Sequence, residues 1–145
     1  YGTEVEQPHI AKWRRGEHDD LAWAAWWFEM LRGHRAAGRS CRRARVVSEP
    51  LSEYQHWVNS HVGHFIEAGE DIRRVPRPRL TDLLLPGSGD FYVFDDRLVL
   101  FLHYAGNGTN TGFEVTDERD KVEMCREAFE SVWRHAIPFR DDRPD

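Results

Sequence analysis

A mixed α/β (α+β) domain is the fold class this chain predicts: a single mixed sheet of about five strands, ending in an antiparallel meander, with helices packed on both faces. Three stretches carry the prediction. FYVFDDRLVLFLHY (residues 91–104) sets two strongly apolar runs either side of Asp95-Asp96. Residues 41–75 read strand–helix–strand. Val122, Cys125, Phe129, Val132, Trp133 and Ala136 recur at i, i+3, i+7, i+10, i+11 and i+14, the stripe of an amphipathic helix.

Length and charge bound the rest. A chain of 145 residues suits one domain, residues 1–145, able to bury a core without metal or disulfide staples. Residues 1–7 and 140–145 are polar, and flexible ends are expected there. The net charge of −5 opposes general coating of nucleic acid or of a membrane surface, both of which are anionic. No run approaches the ~18 apolar residues of a membrane span, and no basic-then-apolar leader opens the chain, so a cytoplasmic address is expected. The chain starts at Tyr1 rather than Met, consistent with a natural protein that begins further upstream. Cys41 and Cys125 stand alone, with no CxxC or finger spacing, which predicts reduced thiols.

Taken in order, Pro8 suits the first turn of a short helix, PHIAKWRRGE, ended at Gly16. Asp19 or Asp20 then caps a longer helix through Leu21, Trp23, Trp27, Met30, Leu31 and His34 to Gly38. Trp26 and Phe28 widen its apolar stripe. Residues 38–47 turn into a strand with Cys41, Arg43, Arg45 and Val47 on one face and Arg42, Ala44 and Val46 on the other. Pro50 or Leu51 opens a helix that Gly69 ends, and 71–75 is a second strand, favouring parallel pairing by a right-handed crossover. The Pro- and Gly-rich segment 76–89, with a short turn over 80–85, is the longest connection. Residues 91–94 and 98–104 pair about Asp95-Asp96, and Gly106-Asn107-Gly108 turns into 112–115. Since 98–104 is apolar on both faces, it should be a central strand with a helix on each side. Thr116 or Asp117 caps the last helix, and Ile137-Pro138 ends it.

Chemistry is sparse. His56, His61 and His64 lie on one predicted helix, but no HExxH or comparable signature accompanies them, so neither a metal nor another cofactor is expected. Arg42, Arg43 and Arg45 with Arg73, Arg74, Arg77 and Arg79 place seven cations on two strands and the following loop. They can gather a phosphate or carboxylate, or pair with Glu49, Glu70 and Asp71; ion pairing is the commoner use. No reading helix for duplex DNA is visible. The serines lack a nucleophile-elbow context, and Cys125 falls inside an apolar stripe. GSGD at 87–90 precedes a strand, whereas a phosphate loop precedes a helix.

Trp26-Trp27, GRSCRRARVVSEPLSEY (38–54), AGEDIRRVPR (68–77), LLLPGSGDFYVFDDRLV (83–99) and AFESVWRHAIPF (128–139) together resemble an actinobacterial family of unknown function, small proteins encoded near helix-turn-helix regulators. The second half is also similar in layout to half of a phospholipase-D-like fold. Catalytic halves of that kind carry HxKxxxxD; here His103 is followed by Tyr104 and Ala105, without the Lys or the Asp, so the resemblance implies a degenerate, non-catalytic domain.

Two functions are therefore carried forward. The first is a non-enzymatic regulatory or binding domain that recognises a protein partner, a second copy or a small anionic effector through Trp23, Trp26 and Trp27 and the sheet edge near Arg43, Arg45 and Arg74. The alternative is a small biosynthetic or nucleotide-processing enzyme, with RNA contact as a variant. It would hold an anionic substrate on those arginines and use His103, Glu114 or His64 for proton transfer.

Overall fold

The computed structural model describes residues 3–87 and 89–139; the 140–145 tail and Tyr1-Gly2, expected to be flexible, lie outside them. Among the described residues the chain forms four helices, α1 (Gln7–Arg14), α2 (Ala25–Ala36), α3 (Glu53–Ala68) and α4 (Arg119–His135), and six strands. These are β1 (Cys41–Val47), β2 (Glu70–Pro76), β3 (Phe91–Phe94), β4 (Leu98–Tyr104), β5 (Asn110–Thr116) and the two-residue β6 (Ile137–Pro138). The mixed α/β class holds, but the strands divide into two sheets, β1-β2-β6 and β3-β4-β5, rather than one of about five. Ile137 and Pro138 pair antiparallel with Arg74 and Arg73, so β6 takes the edge of β2 that the meander would otherwise join. Tight turns then keep β3, β4 and β5 paired among themselves.

In the first sheet β1 and β2 run parallel in the register Cys41↔Glu70 to Val47↔Pro76, joined by α3. Alternation splits the strands as the sequence predicts. Arg43 and Arg45 point to the α2–α3 side, where Arg45 reaches Asn59 of α3. Arg42 points to α4, bonding Glu130 and lying over the Phe129 and Trp133 rings. This sheet does carry helices on both faces. Its α4 side buries Val75, Leu80 and Val132.

On the other side α2 packs on α3 around Leu21, Ala24, Phe28, Leu31 and Ala68. The first turn of the predicted α2 differs from expectation. Leu21 adopts a left-handed φ of 56°, Ala22–Ala24 form a 3₁₀ turn, and the helix proper begins at Ala25. Asp19 and Asp20 still act as turn acceptors, for the Leu21 and Ala22 N–H groups, and these bonds bend the chain before it becomes helical. Likewise α3 starts after Ser52, whose Oγ accepts from Gln55 N, not at Pro50 or Leu51. At Gly69 the left-handed φ of 122° calls for glycine, and a Cβ there would also crowd Arg35 Cδ of α2 at 3.1 Å.

The connection after β2 forms a 3₁₀ turn at Arg77–Leu80, ahead of the expected 80–85 turn. In the meander, Asp95 and Asp96 both take left-handed φ (50° and 54°), and Arg97 N bonds Phe94 O at 2.9 Å, the geometry of a type I′ hairpin turn. β4 is central, as predicted, yet a helix covers only one of its faces. Phe91, Val93, Val99 and Phe101 pack with Val122 and Cys125 of α4.

Candidate functional site

The cross-strand register fixes what lies on the other face of the meander. Tyr92 pairs with Leu100 and Phe94 with Leu98; Leu100 pairs with Val115 and Leu102 with Phe113. Partners directly opposite one another share a face, so Tyr92, Phe94, Leu98, Leu100, Leu102, Phe113 and Val115 form one apolar surface turned away from α4. Its flanks are open: Phe113 is 64% exposed and Val115 61%. Tyr92 and Phe94 are also exposed and stack at 6.1 Å. Tyr104 continues the same alternation and is exposed. Those within 91–104 were expected to be core, because an uncovered apolar face and a covered one share a composition. The signal that could have revealed it is the helix count, since α2, α3 and α4 are already committed elsewhere.

The charges around this surface are mostly acidic. Asp90 stands opposite Leu102, whose N–H bonds Asp90 O, and so shares the open face. Asp95 and Asp96 stand exposed at the turn, accompanied by Arg97. Burial raises the Tyr92 phenol pKa, with Arg43 pulling it down and Glu70 and Asp90 pushing it up. Tyr104 is raised by burial, with Asp90 and, more weakly, Glu6 adding to the shift.

Arg43 links this surface to the aromatic helix. Its Nε donates to Glu70 Oε1 at 2.7 Å, and its guanidinium lies 5.9 Å from the ring centroids of both Trp27 and Phe65. Trp27 in turn meets Trp26 edge-on at 5.2 Å, and Trp26 is exposed. Trp23 instead packs inward with His9, Trp57 and His61. Burial raises the Glu70 carboxyl pKa against the pull of Arg43 and Trp27; Glu70 Oε2 and Trp27 Nε1 nonetheless complete no hydrogen bond of normal geometry among the described residues.

The other predicted site residues are spread over the fold. Arg45 donates to Asn59 Oδ1 and Gln55 Oε1, and burial draws its guanidinium down to about 10, aided by the repulsion of Arg43. Arg74, its register partner on β2, donates to Glu49 Oε1 at 2.9 Å. His103 Nε2 lies 3.7 Å from Glu114 Oε2, whose other oxygen accepts from Lys121. That pair belongs to the meander, whereas the three arginines belong to the other sheet, so the structure does not gather them at one centre. His64 is paired loosely with Glu67 at 4.0 Å on the exposed side of α3. Among the described residues no group of three or more His, Cys, Asp or Glu side chains converges so as to hold a metal ion. A second apolar patch lies where Leu83, Leu84 and Leu85 meet Met124 and Ala128 of α4, around an open groove of about 300 Å³. No helix of the described residues is long and apolar enough to cross a membrane.

No curated protein and no solved structure shows significant similarity to the chain. A family model described as a domain of unknown function (DUF6879) matches residues 1–142, and the chain belongs to that family.

Proposed function

We propose that this domain is a non-enzymatic regulatory or binding module of the cytoplasm that recognises a protein partner. The observation that carries the reading is the open apolar face of β3-β4-β5. The exposed parts of Tyr92, Phe94, Tyr104, Phe113 and Val115 amount to roughly 400–500 Å², taking ~200 Å² for an aromatic side chain. The largest apolar patch on a monomeric protein runs to about 300–600 Å² and is often functional. Arg43, near enough to act on Tyr92, rests on Trp27, which meets the exposed Trp26; aromatic and Arg side chains are the types enriched at interface centres. A lineage among small actinobacterial proteins encoded beside helix-turn-helix regulators, with a degenerate phospholipase-D-like half domain as ancestor, fits the same role. The test is purification of the tagged chain from its native cells. A stoichiometric polypeptide retained by the wild type and lost with Phe94→Asp supports the reading; wild type and variant eluting alike as a bare monomer overturns it.

The enzyme reading has one observation in its favour, the His103–Glu114 pair beside Lys121. A carboxylate that orients a histidine is a usual element of proton transfer. Here both side chains are substantially exposed, and the arginines meant to hold the anion are engaged by Glu70, Glu49, Gln55 and Asn59.

A further inference from the structure

Resting on that reading, we infer that the occupant of the open meander face is an amphipathic helix of about 15 residues with basic flanks, supplied by a partner protein. Dimensions come first. β4 and β5 are seven residues each, so the face is ~23 Å long at ~3.3 Å per residue, and three strands at ~4.8 Å spacing make it ~10 Å across. One α-helix is ~10 Å wide and covers 23 Å in ~15 residues. The sheet already shows this solution on its inner face, where the 17-residue α4 lies against Val99 and Phe101. The outer face is the same sheet without that layer.

Area fits either a helix or a second copy: a dimer of standard size buries ~800 Å² per partner, a little over half of it apolar, which is about the 400–500 Å² of exposed apolar side chain present here. Charge separates them. The face is bordered by Asp90 and, at the hairpin turn, by Asp95, with Glu6 and Glu70 close enough to act on Tyr104 and Tyr92. The nearby cations are Arg97 and Arg43, and Arg43 is already bound to Glu70. Face-to-face pairing of two copies would bring acidic borders together, in a chain whose net charge is −5. Lys or Arg flanking an apolar stripe would meet them with opposite charge. Phe113 and Val115, with Leu100 and Leu102 between the flanks, offer the central apolar contacts, and Tyr92 and Phe94 the aromatic wall.

The experiment uses the full chain and three synthetic 16-residue peptides: an amphipathic Leu/Lys helix, its Leu/Glu counterpart, and a scrambled Leu/Lys sequence. Binding is measured by calorimetry and mapped by amide NMR. The Leu/Lys helix should perturb amides of β3, β4 and β5. The Leu/Glu and scrambled peptides should bind at least tenfold more weakly. Phe113→Asp, at a position 64% exposed, should leave the melting temperature unchanged yet weaken the Leu/Lys helix at least tenfold. Purely electrostatic attachment would instead be strengthened by the added carboxylate. Val115→Ser gives a second, milder variant should Phe113→Asp misfold. Equal binding of the scrambled peptide, shifts centred elsewhere, or unchanged affinity in both variants overturns the inference. A wild-type dimer that Phe113→Asp dissociates also overturns the helix as occupant, while leaving the proposed binding function standing; monomeric behaviour with no retained partner removes both.

Discussion

Replacing Arg43 by Met would strand a carboxylate inside the protein. The Glu70 side chain is 1% exposed, and the Arg43 guanidinium is its only charged partner among the described residues, at 2.7 Å. Arg43 itself is 35% exposed and rests on the Trp27 and Phe65 rings. The two halves of the pair are therefore unequal. Removing the cation leaves a buried charge that water cannot reach, a loss of about 3–5 kcal/mol. Replacing Glu70 by Gln keeps an acceptor for Arg43, which can also turn to solvent, and costs about 1–2 kcal/mol. At about 3–4 °C per kcal/mol for a domain near this size, Arg43→Met should melt roughly 10–20 °C below wild type and Glu70→Gln roughly 3–8 °C below. The double variant should recover much of the larger loss.

The pH dependence supplies an independent check. Burial raises the folded-state pKa of Glu70 above its ordinary value, so the folded protein holds this proton more tightly than the unfolded chain does. Its contribution favours folding at low pH and is lost as pH rises through the folded-state pKa. Without Arg43 that pKa moves higher still, because Arg43 exerts the strongest of the pulls that lower it. The penalty of Arg43→Met is thus greatest at the higher pH and shrinks as pH falls, because protonation of Glu70 removes the need for a cation. Urea denaturation of wild type, both single variants and the double variant at pH 7.5 and 5.0 measures this. An Arg43→Met penalty no larger than that of Glu70→Gln, or one that stays constant between the two pH values, would refute the reasoning.

Two further outcomes are expected. His61 is buried between Trp57, Trp23 and Phe65, and desolvation lowers its pKa to about 4, so it is neutral when folded. The unfolded chain binds that proton near pH 6.5; the contribution is present above this value and is lost as pH falls from about 6.5 to about 4, by about 3 kcal/mol. His61→Leu should flatten the acid limb of the stability curve in that window, and a limb as steep as wild type would contradict the assignment. Leu31, 1% exposed among Leu21, Ala24, Phe28 and Ala68, anchors α2. Leu31→Ala should lower stability by about 2–5 kcal/mol in urea titration; a loss below about 1 kcal/mol would mean that α2 is not packed as described.

Much of the local structure was legible because it repeats with a single period. The stripe from Val122 to Ala136 could only be a helix, and alternation along Cys41–Val47 correctly sent Arg43 and Arg45 one way and Arg42 the other. The parallel β1–β2 pair followed from strand, helix and strand in that order. What escaped was long-range. Nothing around Ile137-Pro138 marks two residues as a strand, because β6 exists only by its bonds to β2. The start of α2 moved from Asp19-Asp20 to Ala25 because side-chain bonds to Leu21 and Ala22 outcompeted the first helical turn.

For the candidate site the division is sharper. The residues 91–104 determined by themselves that two apolar strands would meet at Asp95-Asp96, since short apolar runs and the turn pair between them are local properties. They could not determine that only one face of those strands would be covered. An apolar side chain has the same affinity for a helix of its own chain as for one from another molecule, because apolar burial is non-directional. Only the tertiary placement of α4 beneath Val99 and Phe101, with α2 and α3 already engaged on the other sheet, left Tyr92, Phe94, Phe113 and Val115 facing outward.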